Sequence, residues 1–136
     1  MTLPRSIQLG EMPSVLRPIL AEDCIRMEEI EYTGELAAPF EEQLQINCSG
    51  LNAFGALREV EFMFDDGPLG HVWILVQAEE LTELRQDLEK TFGAVIYETE
   101  AYAVFASGNI ALRQTPPEIL VAIPNLMTII TGFTLG

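Results

Sequence analysis

The chain has 136 residues, enough for one domain with a core of its own, and its 49% hydrophobic content is too high for a disordered protein. Against 21 Asp and Glu stand 7 Lys and Arg, a formal net charge of −14. With Arg5, Arg17, Arg26, Arg58, Arg85, Lys90 and Arg113 scattered singly, that balance excludes a grip on a nucleic-acid backbone and docking on anionic lipid heads.

Residues 1–9 read as an N-terminal extension of a single domain spanning 1–136. They contain no apolar run of the signal-peptide kind, so the expectation for an exported protein is a leader already removed. Pro13 suits a first helical position. Val15, Leu16, Ile19 and Leu20 form an apolar stripe, which predicts a helix over Pro13–Asp23 with Pro18 in or near its first turn, or kinking it. Met27–Thr33 mixes Met27, Ile30 and Tyr32 with Glu28, Glu29 and Glu31, the pattern of an edge strand with its acids in water. Leu44, Ile46 and Cys48 alternate on one face of the next strand, which Ser49-Gly50 is expected to end.

The clearest element is a hairpin. Val60, Phe62 and Phe64 alternate with polar residues, Asp65-Asp66-Gly67-Pro68 has strong turn chemistry, and His71–Val76 returns apolar on both faces. Such a return strand belongs at the centre of a sheet. A second helix follows: Glu79 and Glu80 open it, Leu81, Leu84, Leu88 and Phe92 make its packing face, and Gly93 caps it. Val95–Thr99, Tyr102–Ala106 and Ile110–Arg113 read as short strands, with Thr115-Pro116-Pro117 stopping the sheet and Glu118–Ile123 as an added edge. Residues 117–136 form an apolar C-terminal segment whose end fits either a short helix or a strand, because helical spacing and β-branched residues compete there. The expected fold is α+β: a curved antiparallel sheet with two main helices packed on one face and room for a short C-terminal helix. Each half reads as a helix followed by a meander, a hint of internal duplication.

No P-loop, dinucleotide fingerprint, nucleophile elbow or zinc spacing occurs, and no cofactor is expected. His71 is the single histidine; beside Asp65 and Asp66 it is the one candidate for general-base chemistry, against the simpler reading of a structural strand histidine. Glu28, Glu29, Glu31, Glu41 and Glu42 carry no metal-loop spacing and read as solvated. Cys24 and Cys48 are either two buried thiols in a reducing compartment or one disulfide in an oxidising one. Trp73, Tyr97, Tyr102 and Phe105, with Leu126, Ile129, Ile130 and Phe133 of the tail, carry more apolar strand surface than one small core absorbs. That excess points to a protein partner or a homodimer, or to helices covering both sheet faces.

The run Gly10-Glu11-Met12-Pro13-Ser14-Val15-Leu16, and Leu84 to Gly93 followed by a hairpin, resemble small bacterial envelope domains. These are the small lipoprotein of the outer-membrane β-barrel assembly machine and the repeats of β-lactamase inhibitory proteins. The resemblance implies a non-catalytic, exported, protein-binding or accessory domain of the envelope, with Cys24 and Cys48 paired and no membrane insertion. The acidic chaperones of bacterial type III secretion are similar in size and charge; likeness to them implies a cytoplasmic dimeric adaptor with free thiols. A third reading is an enzyme or small-ligand binder built on His71.

Overall fold

The computed structural model describes residues 2–134. Helix α1 (Pro13–Asp23) begins on Pro13 and carries Pro18 in its interior, past the first turn. Leu16 and Leu20 are its fully buried face. Strands β1 (Arg26–Thr33), β2 (Glu42–Ala53), β3 (Ala56–Asp65) and β4 (Leu69–Leu75) follow as an antiparallel meander. Helix α2 (Leu81–Phe92), with Gly93 ending it at φ 93°, leads into β5 (Val95–Glu98), β6 (Tyr102–Phe105), β7 (Ile110–Arg113) and β8 (Glu118–Ala122). A short helix, α3 (Pro124–Thr131), closes the described chain.

All eight strands make one open antiparallel sheet in the order β1-β2-β3-β4-β8-β7-β6-β5. The two halves, each a helix and four strands, therefore meet back to back at the β4–β8 pair. Two expectations are corrected by this topology. Glu118–Ile123 does not form an edge: β8 is hydrogen-bonded to β4 on one side and β7 on the other, and the Pro116-Pro117 turn merely returns the chain into the sheet centre. Ser49-Gly50 does not end β2 either. The strand absorbs Gly50 as an irregularity at φ 76°, with the Ile25 side chain where a Cβ would sit, and runs on to Ala53. A glycine inside a strand marks a bulge as readily as a stop.

The core divides into two clusters. The larger takes Leu16 and Leu20 of α1, Leu84 and Leu88 of α2, and the alternate strand residues Ile46, Phe62, Val72, Ile74, Ile119 and Val121. The smaller takes Val104, Ala111, Leu120 and Ala122 with Leu126 and Met127 of α3 and Phe133. Strands β4 and β8 feed both, which is why they lack polar alternation. Leu3, Ile7 and Leu9 of the N-terminal segment pack on the larger cluster, and Arg5 forks onto Glu22 and Asp23 at the end of α1.

Two crosslinks fasten this frame. Cys24, just past α1, is joined to Cys48 in β2 with Cα atoms 5.5 Å apart. A loop of this length adds about 3 kcal/mol in the chain-entropy account. Arg58 is buried in β3, where its guanidinium donates to the Ala53 and Phe54 carbonyls and to both carboxylate oxygens of Glu80 at the start of α2. Paired so, the Glu80 carboxyl is lowered from 4.5 to about 2, chiefly by its bonds from Arg58. A carboxyl whose folded pKa is depressed contributes stability above its unfolded pKa and loses it as pH falls through the folded value. We therefore expect Arg58→Ala to cost about 3 kcal/mol in urea unfolding at pH 7, because it strands a carboxylate and two carbonyls. The difference between variant and parent should narrow as pH falls from about 5 to 2, leaving the part owed to the Ala53 and Phe54 carbonyls; an undiminished difference at low pH would refute the assignment.

Candidate functional site

Side chains that leave the larger cluster by strand alternation form the sheet's other face, and the register places them in rows. Glu61 of β3 stands opposite Trp73 of β4, which stands opposite Leu120 of β8. In the neighbouring row Leu75 of β4 faces Glu118 of β8, then Arg113 of β7, then Tyr102 of β6. At the hairpin end Met63 faces His71. Three of these positions were foreseeable as aromatic or histidine; Glu61, Glu118 and Arg113 were not.

Arg113 is the hub of this patch. Its guanidinium carbon lies 5.4 Å from the Trp73 ring centre and 5.8 Å from that of Tyr102, and Nη1 is 3.9 Å from Glu118 Oε2. A planar cation held between two aromatic faces loses mobility at little solvation cost. Trp73 is fixed from the side by the edge of His71, with ring centres 6.1 Å apart and planes at 85°. Trp73, Tyr102, Arg113, Glu61, Glu118 and Leu75 are all half-buried.

The two carboxylates are held at a cost. Burial pushes Glu61 up from its ordinary range, with His71 pulling back. Burial also pushes Glu118 up; the neighbouring Glu61 charge adds to the rise, and Arg113 opposes it. Neither carboxylate receives a side-chain hydrogen bond among the described residues. Glu118 has Arg113 as its one ion-pair partner among the described residues, and Glu61 has none.

His71 itself is differently placed. Its Nδ1–H donates to Asp65 Oδ2 at 2.7 Å, and Gln43 donates to Asp65 Oδ1 at 2.7 Å. His71 is 7% exposed and Asp65 8%. The pair is sealed: the Asp65 carboxylate lies over Gly70, and Leu126 of α3 closes the same spot, so that a Cβ on Gly70 would overlap Asp65 Oδ2 and lie 2.7 Å from Leu126 Cδ1. Asp66, next in the turn at φ 53°, uses its carboxylate to hold the backbone N–H groups of Glu41 and Glu42. Among the described residues, no group of three His, Cys, Asp or Glu side chains is placed to hold a metal ion.

The remaining candidates disperse. Phe105 is fully buried in the larger cluster, and Leu126 and Phe133 lie inside the smaller, so these three serve the chain's own core. Tyr97 meets Phe133 with ring centres 5.7 Å apart and planes tilted by 51°, Ile130 is half-buried, and Ile129 stands 56% exposed on α3. Only Trp73 and Tyr102 share the patch with Arg113. A pairing signal was present: Arg113 and Glu118 flank the Pro116-Pro117 turn at hairpin spacing.

No family model matches this sequence, and neither the curated proteins nor the solved structures hold a match to it. No helix among the described residues is long and apolar enough to cross a membrane.

Two outcomes follow. Gly70→Ala should cost about 2 kcal/mol as an overpacking change and break the Asp65–His71 bond, read as a displaced ring-nitrogen resonance of His71; an unmoved resonance would refute the sealing role of Gly70. A carboxyl whose folded pKa is raised favours the folded state at low pH and opposes it once ionised. Glu118→Gln should accordingly raise the melting temperature at pH 7, with the gain vanishing near pH 4; a lower melting temperature at pH 7 would contradict the assigned burial cost.

Proposed function

We propose that the protein is a non-enzymatic binding domain that acts by protein–protein contact in an oxidising compartment, the cell envelope or beyond it. The observation that carries this reading is the patch of Trp73, Tyr102 and Arg113 flanked by the half-buried Glu61 and Glu118. Trp, Tyr and Arg are the residue types that dominate binding energy at protein interfaces when set in a water-excluding surround. Glu61, without an ion-pair partner among the described residues, Glu118, held only by Arg113 at 3.9 Å, and the net charge of −14 favour a basic protein as the matching partner.

With Leu16, Leu20, Leu84 and Leu88 sharing one apolar cluster, we take α1 and α2 to cover one face of the sheet. The opposite face is then left to α3 and to the partner. The Cys24–Cys48 bond supports the exported location over the cytoplasmic adaptor reading, since such bonds persist where thiols are not kept reduced. For His71 the structural reading is favoured over the catalytic one, because general-base work needs access that a 7% exposed ring bonded to a buried Asp65 lacks.

The test has two arms on protein isolated from its native host. Alkylation under denaturing, non-reducing conditions should leave both cysteines unlabelled, with the mass of an internal disulfide; two labelled thiols would move the protein to the cytoplasm. A photoreactive residue in place of Trp73 should crosslink in the native host to one basic protein, and Arg113→Ala should reduce that product at least about tenfold. A crosslink unaffected by Arg113→Ala, or none at all, would overturn the patch as a binding site.

A further inference from the structure

The open sheet has two edges, and they are built differently. β5 is four residues long, its pairing with β6 is irregular between Val95 and Tyr97, and Arg85 clamps Glu98 through two hydrogen bonds of 2.8 Å. A short, irregular, pinned strand is a poor template. β1 is eight residues long and pairs with β2 in unbroken register from Arg26↔Ser49 to Thr33↔Glu42, with no strand on its other side among the described residues. About half the backbone donors and acceptors of such an edge point outward, unpaired.

We infer that β1 is a docking edge for an extended basic segment of a partner protein, which adds as a ninth, antiparallel strand beside Arg26–Thr33. The occupant is selected by charge. Glu28, Glu29 and Glu31 are all exposed on the strand. Glu29 is already answered by Arg17 of α1, through two bonds of 3.0 Å. Glu28 and Glu31 receive no hydrogen bond or close ion pair among the described residues, and because they are three residues apart they stand on opposite faces of the sheet. An incoming strand that places a lysine or arginine opposite each, with a β-branched residue opposite the half-buried Ile30 between them, satisfies both faces and the backbone ladder. A second copy of this chain is disfavoured at the same edge. Antiparallel self-pairing about Ile30 sets Glu29 against Glu31 across the join, between two molecules of charge −14. The edge thus rejects itself while remaining open to a chain of opposite charge.

This inference stands apart from the Trp73 patch, and the experiment separates them. The probes are three synthetic extended peptides: one built on Lys-Val-Thr-Lys, which read antiparallel sets its lysines opposite Glu31 and Glu28 and its valine opposite Ile30, its glutamate-for-lysine counterpart, and the lysine peptide with alternate backbone nitrogens methylated. The lysine peptide should shift the amide resonances of Arg26–Thr33 and bind at least about tenfold more tightly than either of the others. In the double variant Glu28→Lys, Glu31→Lys, both sites being exposed, the preference should reverse toward the glutamate peptide. Trp73→Ala should leave binding of the lysine peptide unchanged. Equal binding of the methylated peptide would show charge attraction without strand addition and overturn the inference. So would shifts confined to the Trp73 row, or no binding by any peptide.

Discussion

The architecture hangs on the antiparallel pair of β4 and β8. Each strand is the last of a four-strand meander, and each would be an exposed apolar edge if its half of the chain stood alone. Val72 and Ile74 on one face and Trp73 on the other have no polar alternate to offer water, and the same holds for Ile119, Leu120 and Val121. Joining the two edges removes both liabilities at once and merges two small sheets into one of eight strands. It also fixes where everything else lies. The two helices that open the halves enter a shared cluster, and α3, which follows β8 directly, is delivered to the other cluster at the sheet's middle.

That junction explains the chemistry of the patch. The residues beside Trp73 come from β3 on one side and from β8, β7 and β6 on the other, so the first half contributes Glu61 and the second Glu118, Arg113 and Tyr102. At the centre of a wide sheet these side chains are crowded by neighbours on both flanks, and their carboxylates lose hydration that an edge would preserve. Stability alone would favour neutral residues at such positions. His71 and Asp65, only one row away, show the alternative: a buried pair bonded to each other, with Gln43 on the second Asp65 oxygen and Gly70 and Leu126 packed against the carboxylate. One row satisfies its polar groups by close hydrogen bonds, and the next holds two carboxylates with no side-chain hydrogen bond among the described residues.

Local signals in the sequence located the elements well. Pro13, Gly93 and the Asp65–Pro68 turn each impose a backbone geometry that few other residues supply, and the boundaries they mark hold in the structure. The unpolar alternation of His71–Val76 correctly implied a central strand. Where the reading failed, the deciding contact was distant in sequence. Gly50 looked like a strand end because its reason for being glycine is Ile25, half a hairpin away. Glu118–Ala122 looked like an edge because its partner, β4, lies more than forty residues upstream. Residue type located Trp73, Tyr102 and the cysteines. Hairpin spacing across the Pro116-Pro117 turn could have paired Arg113 with Glu118, but only the strand register brings Glu61, Trp73 and Tyr102 to them.

The large negative charge then acquires a structural meaning beyond solubility. An open sheet of eight strands carries an aggregation hazard at each end, and the chain answers it twice over. At β5 the answer is geometric: a short strand, an irregular register and a clamped glutamate. At β1 it is electrostatic, and an electrostatic guard differs from a geometric one in being selective. Acid side chains repel a like-charged copy without distorting the ladder of N–H and C=O groups, whereas a bulge spoils the ladder for every comer. A long, regular, acid-lined edge is therefore closed to its own kind and, as inferred above, open to basic strands, and beside Trp73 the half-buried Glu61 and Glu118 carry the same sign, with Arg113 the cation between them and the aromatic rings. On the proposed reading both surfaces favour the same class of partner, for the same physical reason.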